Sequence, residues 1–86
     1  MIFFVYILRT SSNTLYIGQT NNLERRIEEH RKKKARSAKY MRYFKSFELV
    51  YLEKFGSRSE AMKREIQLKK LTRAKKDLLV MEPYIL

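Results

Sequence analysis

The chain has 86 residues and no cysteine: room for one domain with one modest core, and no route to a disulfide framework or a thiolate metal site. Twenty Lys and Arg against nine Asp and Glu leave a formal net charge of +11, a self-repulsion that a polyanionic partner usually offsets. A membrane-surface helix would set Trp, Phe and Leu opposite its cations; with no Trp and most Phe outside the basic segments, nucleic acid is the expected partner and a membrane is not.

The apolar run Met1 to Leu8 has no basic segment before it and is too short to span a bilayer. It reads as a strand, Phe3 to Leu8, and the Cys-free composition fits a cytoplasmic location. Thr14 to Gln19 forms a second strand, with the polar cluster Ser11-Ser12-Asn13 as a hairpin loop between them. Each strand carries a tyrosine in similar company, Val5-Tyr6-Ile7 and Leu15-Tyr16-Ile17, and the second ends at Gly18, where backbone can turn or approach another group closely. Room beside Tyr16 for a phosphate is one use of that glycine; a plain strand-end turn is the other.

Thr20-Asn21-Asn22 offers N-caps for a helix from Leu23 to Lys33. Leu23, Ile27 and His30 share one face of it, with Arg26 on the edge of that stripe and one turn before His30. Arg25, Glu28, Glu29 and Lys32 are assigned to its solvated side. From Arg31 to Lys45 there are eight basic residues and no acidic one, interleaved with Tyr40, Tyr43 and Phe44. Cations neutralise phosphates and aromatic rings stack on bases, so Arg31, Lys32, Lys33, Lys34, Arg36, Lys39, Tyr40 and Arg42 are candidate nucleic-acid contacts, with a short helix expected through Ala38 to Arg42.

Phe47 to Phe55 alternates, Phe47, Leu49, Tyr51 and Glu53 on one side and Glu48, Val50, Leu52 and Lys54 on the other. Apolar residues on both sides predict a central or well-covered third strand. After Gly56, Ser57-Arg-Ser-Glu60 matches a capping box, opening a helix from Arg58 to Leu71 whose inward half carries Ala61, Met62, Glu65, Ile66 and Leu68. Glu65 interrupts an otherwise apolar face. Thr72 caps a last helix through Leu79, and Pro83 closes regular structure. Lys69, Lys70, Arg73, Lys75 and Lys76 make a second positive patch, of which Lys69 and Lys70 are candidate nucleic-acid contacts. These elements predict one α/β domain spanning 1–86.

One histidine rules out a His-rich metal site, and glycines only at 18 and 56 rule out a Gly-rich phosphate loop. Polar tips at inward or edge positions remain on Tyr6, Tyr16, Arg26, His30 and Glu65, a set suited to phosphodiester hydrolysis. A carboxylate can hold a hard divalent cation such as Mg²⁺ or Mn²⁺, which acidifies bound water and offsets charge on the phosphate. Arg26 can fork onto two phosphate oxygens, a phenol can act as base in a positive field, and His30 can share proton transfer. Each residue alone has a plainer use: packed strand tyrosines, a surface arginine, a histidine at a helix C-terminus, a Glu65–Lys69 helix pair.

The ordered set Val5-Tyr6-Ile7, Leu15-Tyr16-Ile17-Gly18, Arg26, His30 and Glu65 resembles the GIY-YIG nuclease superfamily over nearly the whole chain. It is most similar to small stand-alone bacterial members related to the catalytic domain of the excision-repair incision nuclease. The resemblance implies a three-stranded antiparallel sheet flanked by helices, an α+β arrangement with the site on one sheet face. It implies Tyr6 and Tyr16 as the motif tyrosines, either of them the general base, Arg26 steadying the phosphate, Glu65 as ligand of a single metal, and His30 as an auxiliary acid–base or phosphate-binding group. The first motif reads Val-Tyr-Ile, without the glycine of the family pattern. The expected activity is metal-dependent DNA endonucleolysis without a covalent intermediate, structure-dependent or weakly specific because a bare catalytic domain has little extra surface for reading sequence; a larger repair or recombination complex is a candidate partner. A non-catalytic nucleic-acid-binding module of the same fold is the alternative.

Overall fold

The structure is a computed structural model that describes residues 1–32 and 46–81. The expected helix through 38–42, Pro83, and the candidate contacts Lys33, Lys34, Arg36, Lys39, Tyr40 and Arg42 lie outside the described residues. In chain order the elements are β1 (Phe3–Thr10), β2 (Leu15–Thr20), α1 (Leu23–Arg31), β3 (Phe47–Phe55), α2 (Arg58–Lys69) and α3 (Arg73–Met81). The strands form one antiparallel sheet in the order β2-β1-β3. The expected three-stranded antiparallel sheet with helices is therefore present, but β1, not β3, is its central strand.

The β1–β2 turn is built by a threonine and an asparagine. The Asn13 amide donates to the Thr10 carbonyl and the Thr10 amide to the Thr14 carbonyl, each at 2.9 Å. Asn13 has φ 63°, the left-handed conformation that Asn tolerates better than most residues and that closes a three-residue hairpin loop. Thr10 Oγ1 accepts from the amides of Ser12 and Thr14, at 3.3 and 3.2 Å, so a buried hydroxyl pins both sides of the turn. Arg73, at the start of α3, donates to the Asn13 carbonyl at 2.7 Å.

The helix starts follow the capping chemistry. Asn22 Oδ1 accepts from the Arg25 amide at 3.1 Å, and Thr72 Oγ1 from the Lys75 amide at 3.3 Å. Ser57 Oγ accepts from the Glu60 amide at 3.3 Å and donates to Glu60 Oε1 at 3.1 Å. Glu60 thus reaches back to the Ser57 hydroxyl, where a full capping box would have it reach the Ser57 amide.

The sheet is covered on both faces. Val5, Ile7 and Ile17 pack with Ala61 and Leu68 of α2, and Leu79 and Val80 of α3 lie against that cluster. Tyr6, Leu8 and Leu52 form the opposite cluster, with Leu23 and Ile27 of α1 against it. In β3 the predicted alternation breaks. Ile7 pairs with Tyr51 and Leu8 with Leu49, leaving Val50 as an extra residue, a β-bulge. Val50 and Tyr51 consequently join the same cluster, and Tyr51 and Glu53 lie opposite Phe47 and Leu49 instead of beside them. Alternation cannot reveal such a bulge when both faces are apolar.

The predicted inward face of α2 is too wide. Ala61 and Leu68 are fully buried, but Met62 and Ile66 are exposed. Half-buried Arg64 takes part of that arc. Its Nε and Nη2 donate to the Glu53 carboxylate at 2.9 and 3.0 Å, and the Tyr51 hydroxyl donates to the same carboxylate. This fork ties α2 to β3 through charge-assisted hydrogen bonds. No helix among the described residues is long and apolar enough to cross a membrane.

Candidate active site

Tyr6 lies in the middle of the central strand and is 1% exposed. Its partner across the β1–β2 ladder is Gly18, and the ring occupies the space a side chain there would fill. A Cβ on Gly18 would stand 2.5 Å from Tyr6 Oη and 2.7 Å from Cζ. Gly18 therefore makes room for Tyr6, not for a phosphate beside Tyr16. Tyr16 sits diagonally across the ladder, since its direct partner is Leu8, and its ring centroid is 6.4 Å from that of Tyr6. The two motif tyrosines share one face, as the sequence predicted.

Helix α1 brings the basic members. His30 is 1% exposed, with Nε2 3.3 Å from Tyr6 Oη. Its ring stands edge-on to Tyr16 at 5.3 Å and to Phe47 at 6.1 Å between centroids. Burial, helped by the charge of Arg26 and opposed by that of Glu29, pushes the His30 pKa down to about 4. His30 is thus a neutral imidazole near pH 7, not a cation capping the helix. Its Nδ1 is buried with no hydrogen-bond partner among the described residues. An unpaired acceptor is easier to bury than an unpaired N–H, which favours the tautomer with the proton on Nε2, donated to Tyr6.

Arg26 interacts with both Tyr6 and Tyr16 and pairs through Nη1 with Glu29 at 3.1 Å. Tyr6 Oη is consequently a point where an imidazole and a guanidinium converge. Burial is the largest influence on this phenol; with the neighbouring Tyr16, and against the opposing pull of Arg26, it drives the Tyr6 pKa up to about 12. Tyr6 stays protonated across the physiological range.

Glu65 comes from the other side of the sheet. It follows buried Ala61 by one turn and precedes buried Leu68, so it keeps the inward position expected of it. Its carboxylate pairs with Lys69 at 2.9 Å, yet its charge still reaches Tyr6, where it makes a small contribution to the raised pKa. Among the described residues no group of three or more His, Cys, Asp or Glu gathers to hold a metal ion. The Glu65 carboxylate would offer an ion one hard oxygen donor beside a polar cluster, which suits a cation that keeps most of its own waters, as Mg²⁺ does.

The described cations of the predicted nucleic-acid surface are exposed. Arg31 and Lys32 lie at the end of α1, each within 3.5 Å of Glu28. Lys69 pairs with Glu65, and Lys70 ends α2 with its amide donating to the carbonyls of Ile66 and Gln67 at 3.2 Å. Two contributors to the site are not marked by the sequence pattern. Nothing local in the strand marks Phe47 as a wall for His30. Glu29 lies on the side of α1 expected to face solvent, and its spacing of three from Arg26 is the one signal for the pair.

The chain as a whole matches known proteins. The family model for the GIY-YIG catalytic domain matches residues 2–77. A UPF0213 protein of Natronomonas pharaonis is 48% identical over 77 residues, which span 90% of this chain and 88% of the relative. The UPF0213 protein YazA of Bacillus subtilis is 39% identical over 79 residues, 92% of this chain and 78% of its own. The solution NMR structure of a UPF0213 protein from Bacillus halodurans has a TM-score of 0.61 at 41% identity, covering 94% of this chain and 84% of that one. That of a protein from E. faecalis has a TM-score of 0.63 at 38% identity, with coverages of 91% and 81%. GIY-YIG nucleases generally use a divalent metal. The chain belongs to the GIY-YIG family, whose catalytic domain implies endonuclease activity and a nucleic-acid substrate.

Proposed function

We propose that the protein is a divalent-metal-dependent DNA endonuclease that hydrolyses phosphodiester bonds with structure-dependent or weak sequence specificity. The observation that carries this reading is the convergence of two phenols, a guanidinium and a neutral imidazole on one side of the central strand, with the Glu65 charge felt at Tyr6. Tyr6, buried and protonated, is a donor and an orienting group. Tyr16 is less buried and bonded by Arg26, and it is the phenol assigned to taking the proton of the attacking water. Arg26 forks onto the scissile phosphate and offsets its developing charge. His30 holds Tyr6 in place and, being neutral, adds no competing cation. Glu65 would hold the divalent ion, whose contribution is to acidify water and neutralise phosphate charge.

The exposed cations Arg31, Lys32, Lys69 and Lys70, together with Lys33, Lys34, Arg36, Lys39, Tyr40 and Arg42, supply contacts to the phosphate backbone and bases. Such contacts orient the duplex without reading its sequence. A cytoplasmic repair or recombination setting fits an enzyme of this kind. The Glu65–Lys69 ion pair favours a second reading, a nucleic-acid-binding module in which that carboxylate is engaged structurally. The test is cleavage of nicked, branched and single-stranded DNA with Mg²⁺ or Mn²⁺, by wild type and by Tyr16→Phe. Cutting by wild type and its loss in the variant, with DNA binding kept, is expected. Salt-sensitive binding without cutting of any substrate supports the second reading.

A further inference from the structure

Helix α1 carries two consecutive glutamates with different fates. Glu28 has a side chain 49% exposed and pairs with Arg31 and Lys32 on the solvated side. Glu29 has a side chain only 15% exposed and lies against Arg26, itself 22% exposed, at 3.1 Å. A carboxylate removed from water beside a guanidinium is costly unless the pair is well formed, so this contact is not an incidental surface pair. The Arg26 guanidinium also interacts with both motif phenols. It is a rigid planar fork, so fixing Nη1 restricts the plane in which its other N–H groups can point.

We propose that Glu29 is a positioning residue for the reaction, holding the Arg26 guanidinium in the plane where it serves the phenols and the scissile phosphate. This rests on the nuclease reading above and extends it. Without Glu29, Arg26 keeps its charge but loses its aim. The chemical step then slows, because misplacing a group by even an ångström can cost of order 100-fold. Affinity for DNA moves the other way or stays level, since an acidic side chain has left an already basic surface. A residue that merely supports the fold would lose rate, affinity and melting temperature together. A residue that merely dilutes the positive field would tighten binding and leave the rate alone.

The test is Glu29→Gln, measured three ways: single-turnover cleavage at saturating DNA with Mn²⁺, the DNA dissociation constant, and the NMR signal of the Arg26 Nε–H. The expected result is a rate reduced about 10- to 100-fold, a dissociation constant unchanged or lower, and an Arg26 Nε–H whose solvent exchange is accelerated. Glu29→Asp, which keeps the charge on a shorter arm, should recover part of the rate. A wild-type rate in Glu29→Gln, or parallel losses of rate, affinity and melting temperature, overturns the proposal. If wild type itself cuts nothing, the nuclease reading fails instead. The Arg26 signal then still decides about Glu29, since unchanged exchange in Glu29→Gln refutes the positioning role.

Discussion

Replacing Gly18 by alanine tests the claim that the site is assembled around the Tyr6 ring. Neither glycine of the chain has a positive φ, so alanine is conformationally acceptable at both and should gain about 0.4–1 kcal/mol by restricting the unfolded chain. At Gly18 the new methyl would stand 2.5 Å from Tyr6 Oη, 2.7 Å from Cζ and 3.2 Å from Cε1. The nearest atom is at the tip of the side chain, but the ring is fully buried and tethered through its hydroxyl to His30 and Arg26. It cannot swing aside without breaking those bonds. Overpacking of a filled core costs about 1–3 kcal/mol, so the net destabilisation should be about 1–2 kcal/mol, or about 5–15 °C in a domain of this size. Gly56→Ala is the matched control, because nothing lies within 4 Å of a Cβ there. Thermal melts of the two variants beside wild type make the measurement. Equal melting temperatures for Gly18→Ala and Gly56→Ala refute the packing of Tyr6 over Gly18.

Because His30 has its pKa lowered from 6.5 to about 4 by folding, the unfolded chain binds the extra proton first as pH falls. The stability that His30 contributes is full above pH 6.5 and drains toward pH 4, amounting to about 2 kcal/mol between pH 7 and pH 5. Urea unfolding at the two pH values should show that loss in wild type and a much smaller one in His30→Gln. Arg64→Met leaves the half-buried Glu53 carboxylate without its fork and should cost about 1–3 kcal/mol; pairing it with Glu53→Gln should recover part of the loss, as a double-mutant cycle by urea unfolding would reveal. Tyr6→Phe removes an orienting hydroxyl but no base, so its cleavage rate should fall less than that of Tyr16→Phe in the same single-turnover assay.

Much of this arrangement is written locally. The two tyrosine-bearing runs, the Asn22 and Ser57 caps and the spacing of Leu23, Ile27 and His30 are short-range signals, and each produced the element expected of it. Glu65 could be placed because it falls between Ala61 and Leu68 on one helical stripe. Most of what escaped depends on contacts between elements; the Arg26–Glu29 pair lies within α1. The bulge at Val50 hides in a strand whose faces are both apolar. Met62 and Ile66 are exposed, and Arg64 takes part of the predicted inward arc to reach Glu53. Gly18 belongs to Tyr6 through a cross-strand pair twelve residues apart, which no local pattern reports. Glu29 and Glu28 are indistinguishable as residue types. Only the position of Arg26 separates the buried one from the solvated one.

In the proposed enzyme Glu65 serves the reaction while the basic surface serves binding. The most direct measurement compares Glu65→Gln with wild type for Mg²⁺- or Mn²⁺-dependent DNA cleavage, with the DNA dissociation constant determined in the same buffer. The prediction is that cutting disappears in the variant and that affinity is kept, or rises with the loss of a negative charge. Cleavage that survives in Glu65→Gln, or a wild type that binds DNA and cuts none of it with either metal, rules out this role for Glu65.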